Sequence, residues 1–236
     1  GSAGYLSGAG IDGRRAKSLR GEHRGLGTWT TAELSNFFKT GRTDVTAAFG
    51  AMAEVVEHST QYMTDSDLDA MSAYLKTLSP APGREVMLPE KKDVTTQKLL
   101  NGEYDSRGAI LYTEYCLVCH RADGKGVPRI FPALDDNSAV YSRHADSVLQ
   151  ITLSGGRMPD TPHDRMAFTM PEFINLSDED VAEVVNYIRN SWTNEASKID
   201  VNDVVQMRHF LSKKPKTGTD LAPDLSVPHA AEGGKP

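Results

Sequence analysis

Both cysteines of this 236-residue chain fall in one pentapeptide, Cys116-Leu117-Val118-Cys119-His120. That spacing is the one a covalently attached haem requires. Two thiols add across the vinyl groups of the porphyrin, the two-residue spacer sets the sulfurs apart, and the next residue is held beneath the iron. A chain tethered this way must fold around a large, flat, apolar group. The rival readings are a Cys-x-x-Cys redox pair and half of a zinc site. Zinc would need two further ligands nearby, and the chain has no other cysteine. A thioredoxin-like pair wants a preceding strand in a βαβ unit, whereas these flanks carry helical signals. The pentapeptide predicts one covalent haem c, with Cys116 and Cys119 as tethers and His120 as iron ligand.

Three helix starts are written plainly. Thr30-Thr31-Ala32-Glu33 is a capping box before Leu34. Thr64-Asp65-Ser66-Asp67 opens a helix over Leu68 to Leu78, with Leu68, Met71, Leu75 and Leu78 at helical spacing. Ser177-Asp178-Glu179-Asp180 opens another over Val181 to Trp192, whose apolar face is Val181, Val184, Val185 and Ile188. Each places acidic residues in the first turn, where the helix dipole favours them. A further helix before the pentapeptide spans about Ser106 to Cys116. No segment alternates as a strand should, so the predicted class is all-α.

The two halves echo each other. Glu33 to Arg42 parallels Ser147 to Arg157, and Thr64 to Leu75 parallels Ser177 to Ile188, offset by 113 to 115 residues. A repeat at fixed offset implies a duplicated unit. The predicted organisation is two tandem helical domains of one kind. Residues 1–80 form a partial copy without an attachment motif and 81–98 a linker, entered through Ser79-Pro80-Ala81-Pro82-Gly83. Residues 99–194 form the haem domain, and 195–236 an extension that is mostly disordered. One more helix is expected in it, from Asp203 to Leu211.

Composition narrows the class of function. Hydrophobic content of 39% with 25% charged residues describes a globular protein, and a formal charge of −6 argues against nucleic-acid binding. No apolar run approaches the roughly 20 residues that span a bilayer. Covalent haem attachment normally takes place outside the cytoplasmic membrane. The expected location is therefore periplasmic, at most peripheral to the membrane, and the chain reads as a mature or trimmed form.

Around the pentapeptide, Arg121-Ala122-Asp123-Gly124-Lys125-Gly126 reads as a tight turn, and Phe131-Pro132-Ala133-Leu134 follows it. Met170-Pro171-Glu172-Phe173 precedes the Ser177 cap by a short loop. These pieces resemble class I cytochromes c. The resemblance implies that the Pro132 carbonyl accepts the His120 Nδ1 proton, and that Met170 supplies the sixth iron ligand. It also implies that the helix before the pentapeptide crosses the last helix at small and aromatic contacts. Met158 is the rival ligand, and Met166, His163 or an open position the lesser ones. A thioether is neutral and soft, so it favours ferrous iron and raises the potential. Met52 matches Met170 in the first half and is a ligand only if a haem reaches it from residues outside this chain. Otherwise it is packing, as Met63 is expected to be. His23, His58, His144, His209 and His229 show no paired metal spacing. Trp29 and Trp192 read as packing residues.

Taken together, residues 108–192 resemble the last domain of the triple-haem cytochrome c subunit of bacterial membrane-bound dehydrogenases, which serve alcohol, gluconate, sorbitol and glucose oxidation. Residues 4–80 resemble the later part of the preceding domain, through Gly25-Leu26-Gly27-Thr28-Trp29, Lys39-Thr40-Gly41-Arg42 and Met52-Ala53-Glu54-Val55-Val56. The resemblance implies electron transfer from a flavin- or quinone-cofactor dehydrogenase subunit to a quinone or another cytochrome. The polar C-terminus departs from relatives that end in an amphipathic anchor. Two other roles stay open at this point. One is a peroxidase-like haem enzyme with an open distal position. The other is a docking role for residues 1–80.

Overall fold

Thr30 closes the capping box with Glu33. Its Oγ1 accepts from the Glu33 amide at 3.1 Å, and the Glu33 carboxylate accepts from the Thr30 amide at 2.7 Å. This is the start of α1 (Thr31–Thr40) in a computed structural model that describes residues 4–11, 14–84, 87 and 90–213. Before it, two-residue strands β1 (Gly10–Ile11) and β2 (Arg14–Arg15) pair antiparallel. After it come α2 (Ala51–His58), a 3-10 turn over Thr60–Tyr62, and α3 (Asp65–Lys76), capped by Thr64 on the Asp67 amide at 3.2 Å. Leu34 and Leu75 are buried where α1 packs on α3, with Leu26 beneath them and Trp29 edge-on to Phe37.

The second group begins with α4 (Thr95–Leu100) and α5 (Arg107–Tyr115), then the single turn α6 (Leu117–His120). α7 (Asp146–Ser154), β3 (Gly156–Arg157), β4 (Thr169–Met170), α8 (Asp178–Asn190) and α9 (Val201–Lys213) complete it. α8 starts where Ser177 caps the Asp180 amide at 3.1 Å. Its apolar face, Val181, Val184, Val185 and Ile188, is buried against α5, α7 and α9. Burial of such side chains stabilises the fold by about 1.5–3 kcal/mol each.

The crossing of α5 and α8 depends on Gly108. A Cβ there would lie 2.6 Å from the Glu183 carbonyl oxygen and from the Tyr187 Cβ, so only glycine admits this approach. Tyr112 sits alongside, with Tyr187 and Trp192 rings at 5.7 and 5.4 Å. These are the small and aromatic contacts expected between the first and last helices of the haem domain.

The chain is mostly helical, and three details depart from expectation. Two-residue ladders join the helices, because a pair of residues is too short to display alternation. The stretch expected as linker enters α4 at Thr95, which is buried and accepts from the Trp192 amide at 3.0 Å. The extension beyond 194 contributes α9 to the core through Val204 and Met207, three residues apart on one face. Residues 214–236, expected to be disordered, lie outside the described residues. Among the described residues no helix is long and apolar enough to cross a membrane.

Candidate haem site

α5 delivers Cys116 as its C-cap residue, and α6 carries the remaining residues of the pentapeptide around one turn. The Cys119 and His120 amides both donate to the Cys116 carbonyl, at 3.2 and 2.9 Å. Helical spacing of three and four residues puts both sulfurs and the imidazole on one side. Val118, on the other side, is 85% exposed. Both cysteines are free thiols. Burial, and then the neighbouring Cys119, push the Cys116 thiol up to about 12, so it stays protonated at neutral pH.

His120 is buried, and its Nδ1 lies 2.9 Å from the Pro132 carbonyl oxygen. A carbonyl only accepts, so the proton sits on Nδ1 and Nε2 keeps its lone pair. Burial holds the imidazole below its ordinary pKa, and the Pro132 carbonyl only partly offsets this. The ring is therefore neutral, as a metal ligand must be. Second-shell bonding of this kind fixes ring orientation and raises ligand basicity.

The turn after the pentapeptide puts Pro132 in place. Gly124 and Gly126 both take positive φ, and the Gly126 amide donates to the His120 carbonyl at 3.1 Å. A Cβ at Gly124 would press on the Trp192 ring at 2.6 Å, while Trp192 Nε1 donates to the Ala122 carbonyl at 2.9 Å. Residues 127 and 131 exchange backbone bonds of 2.9 and 2.8 Å. Just past Pro132, the Ala133 amide donates to the Val45 carbonyl at 2.8 Å. The N-terminal half thus touches the site directly.

Met170 arrives on β4, paired with Gly156 on β3. Gly155 turns the chain with φ of +63°, and a Cβ there would lie 2.5 Å from the Met170 carbonyl oxygen. The Phe173 amide donates to the Thr152 carbonyl at 3.0 Å, tying the segment after Met170 to α7. Met158 lies nearby, its amide donating to the Phe168 carbonyl at 3.0 Å.

These residues surround one cavity of about 1240 Å³ including its mouth. Cys116, Cys119, His120, Pro132, Met158 and Met170 all line it. Met166 is 59% exposed, and neither it nor His163 forms part of the wall. The structure brings the five predicted site residues together, and it brings the rival Met158 with them.

Further parts of the wall lie outside the predicted site residues. Thr46, Ala47, Ala48 and Phe49 close one side of the cavity from the N-terminal half. Phe131 and Phe168 line it as a tilted pair with centroids 5.9 Å apart, and Tyr115 meets Phe173 edge-on at 5.8 Å. Apolar walls, two thiols on one turn and a neutral imidazole with a free Nε2 fit a covalently tethered metalloporphyrin.

The sequence profile of cytochrome c matches residues 106–192. The cytochrome c subunit of gluconate 2-dehydrogenase from Pantoea cypripedii is 39% identical over 210 residues, covering 86% of this chain and 47% of that protein. The cytochrome c subunit of the quinone alcohol dehydrogenase from Gluconobacter oxydans is 39% identical over 211 residues, covering 88% of this chain and 44% of that one. Cytochrome c-554(548) of Halomonas halodenitrificans is 32% identical over 72 residues, or 30% of this chain and 78% of its own length. The chain spans a little under half the length of the two dehydrogenase subunits.

Proposed function

The chain belongs to the cytochrome c family, and from that premise we propose that it is the electron-transfer part of a dehydrogenase complex. The observation that carries this reading is the 2.9 Å contact of His120 Nδ1 with the Pro132 carbonyl, inside a cavity that both thiols also line. Bound there, a haem supplies one-electron exchange between ferric and ferrous iron. Cys116 and Cys119 tether it, His120 binds iron through Nε2, Pro132 orients the imidazole, and Met170 is the sixth ligand.

The distal side of the wall supports carrier over catalyst. It offers methionine sulfurs where a peroxidase-like site would need a positioned acid–base group. With His120 and Met170 both holding the iron, no position would be left for substrate, and the group would supply electron exchange alone.

We further read the chain as two tandem cytochrome-like units, 1–80 and 99–194, with one covalent haem in the second. The names of the related subunits support a dehydrogenase as electron donor. A quinone or another cytochrome is the acceptor, and the periplasm is the compartment in which covalent attachment and these donors meet.

Intact-mass measurement of the protein, produced where haem is attached, tests this. One haem per chain is expected, and none after Cys116→Ala with Cys119→Ala. A covalent haem that survives this double substitution would overturn the assignment.

A further inference from the structure

Arg42 belongs to the N-terminal half, yet its side chain ends inside a loop of the haem domain. It is fully buried. Nη1 donates to the Met166 carbonyl at 2.6 Å and to the Arg129 carbonyl at 3.2 Å, and Nη2 donates to the Pro159 carbonyl at 3.0 Å. Nε faces Asp164 Oδ2 at 3.4 Å, an ion pair rather than a hydrogen bond. The same carboxylate oxygen accepts from Arg129 Nη2 at 2.6 Å. Burial lowers the Arg42 pKa and Asp164 counters that, while a guanidinium stays charged throughout.

The loop in question runs from Met158 to Phe168. Its neck is the Met158–Phe168 backbone bond followed by the β3–β4 ladder, in which Gly156 pairs with Met170. Both methionines that face the cavity are therefore at the neck of a loop whose interior Arg42 occupies. The Pro159 and Met166 carbonyls stand at opposite ends of that loop, and one planar fork joins them.

The base of Arg42 is equally fixed. Asn36 Nδ2 and Thr40 Oγ1 donate to its carbonyl at 2.9 and 3.2 Å. Gly41 caps α1 with φ of +77°, and its α-carbon rests against the Pro159 ring so closely that no Cβ fits.

We propose that Arg42 is a positioning residue for the methionine ligand: by bracing the 158–168 loop from the N-terminal half, it keeps the distal sulfur on the iron. The inference rests on the methionine-ligated reading above. Its chemistry is simple. Without the guanidinium, the Pro159 carbonyl loses its donor and the Met166 carbonyl keeps only the Phe168 amide at 3.2 Å, the neck loosens, and the population with the sulfur off the iron grows. An exogenous ligand then binds with an apparent affinity proportional to that open fraction.

Imidazole titration of the ferric holoprotein reads this population directly. Arg42→Met should bind imidazole about tenfold more tightly than the wild type and weaken the far-red charge-transfer band of methionine-ligated ferric haem. Arg42→Lys should fall between them, since an ammonium keeps the charge but lacks the planar fork that fixes the guanidinium's two ends on the Pro159 and Met166 carbonyls. Asp164→Asn, a milder change on the partner side, should move affinity two- to threefold the same way and keeps the test alive if Arg42→Met fails to fold. Haem content and helicity are measured alongside. Imidazole affinity at the wild-type value in both Arg42 variants would overturn the proposal. Met170→Ala separates the two ideas. If it opens the iron while the Arg42 variants do not, the brace alone is wrong. If Met170→Ala changes neither band nor affinity, the ligand reading fails and the brace falls with it.

Discussion

The helix pair α1–α3 and the helix pair α7–α8 begin with the same local instructions and are put to different uses. Both second helices are opened by a hydroxyl cap, Thr64 and Ser177, with acidic first turns. Both first helices end on a glycine of positive φ, Gly41 and Gly155, with an arginine just beyond, Arg42 directly and Arg157 after Gly156. Past that point they diverge. Arg42 leaves its own helix pair and is buried against carbonyls of the other half. Arg157 enters β3, lines the cavity and pairs with Asp160 at 3.5 Å, its side chain 32% exposed. Met52 sits in the first turn of α2, whereas Met170 lies in the extended β4. Helix ends follow from nearby residues. The use made of the segment between two helices follows from what packs on it.

The sharpest way to break this comparison is to remove each methionine in turn. Met170→Ala should abolish the far-red ferric band and lower the reduction potential on the order of 0.1 V, a fraction of the roughly 0.8 V that axial ligands command. Met52→Ala should leave both unchanged in this chain. Voltammetry and the ferric spectrum decide it. A potential that drops equally in both variants would mean the two halves hold their methionines to the same purpose.

Much of the site was legible because its signals are local. Cys116, Cys119 and His120 lie within one turn, so their spacing in the chain is their spacing in the fold. The Thr30, Thr64, Ser106 and Ser177 caps are likewise short-range, and each makes its side-chain bond to the third residue along. Pro132 was reachable only through likeness to class I cytochromes, since nothing in Phe131-Pro132-Ala133 by itself names an imidazole partner. Met170 was set above Met158 only through the same likeness, and nothing local to either shows that a two-residue ladder brings both to one neck. The wall from Thr46 to Phe49 was beyond reach altogether. It meets the pentapeptide from some seventy positions away, and its residues are ordinary loop and helix-entry types. Helix α4 hid for a related reason: of its two leucines only Leu99 is buried, and it is held by a tertiary bond from Trp192.

Substituting the matched glycines sharpens the contrast at smaller amplitude. An L residue in the left-handed region costs about 1–2 kcal/mol, and overpacking adds about 1–3 kcal/mol. Gly41→Ala and Gly155→Ala should each lower stability by roughly 2–5 kcal/mol, or about 4–20 °C in Tm for a chain of this size. The spectra should tell them apart. At Gly155 the added methyl meets the Met170 carbonyl oxygen at 2.5 Å, so the far-red band should weaken strongly. At Gly41 the strain falls on Pro159, two positions past the ladder, and the band should weaken less. Equal loss in both would show that the neck of the loop takes its position from α1 as much as from α7.

The smallest expected effect lies on the seam between the N-terminal segment and the haem domain. Lys17 Nζ donates to Ser138 Oγ and stands 5.0 Å from the centre of the Trp29 ring. Burial pushes the ammonium down from 10.5 to about 7. Between those two values the unfolded chain binds a proton that the folded chain has released, so stability must rise with pH across that window. The cost of holding a buried charge is fully present below about pH 7 and is gone above 10.5. The Trp29 face works the other way, since it favours the charged form by about 0.5–2 kcal/mol and so narrows the swing. Lys17→Met carries no such titration. The stability of the wild type relative to that variant should therefore climb by about 1 kcal/mol or more between roughly pH 7 and pH 10. Urea unfolding followed by tryptophan fluorescence at several pH values measures it. A difference flat with pH would mean that Lys17 stays hydrated, and that the seam is held by the Arg42 brace and the Ala133–Val45 bond without it.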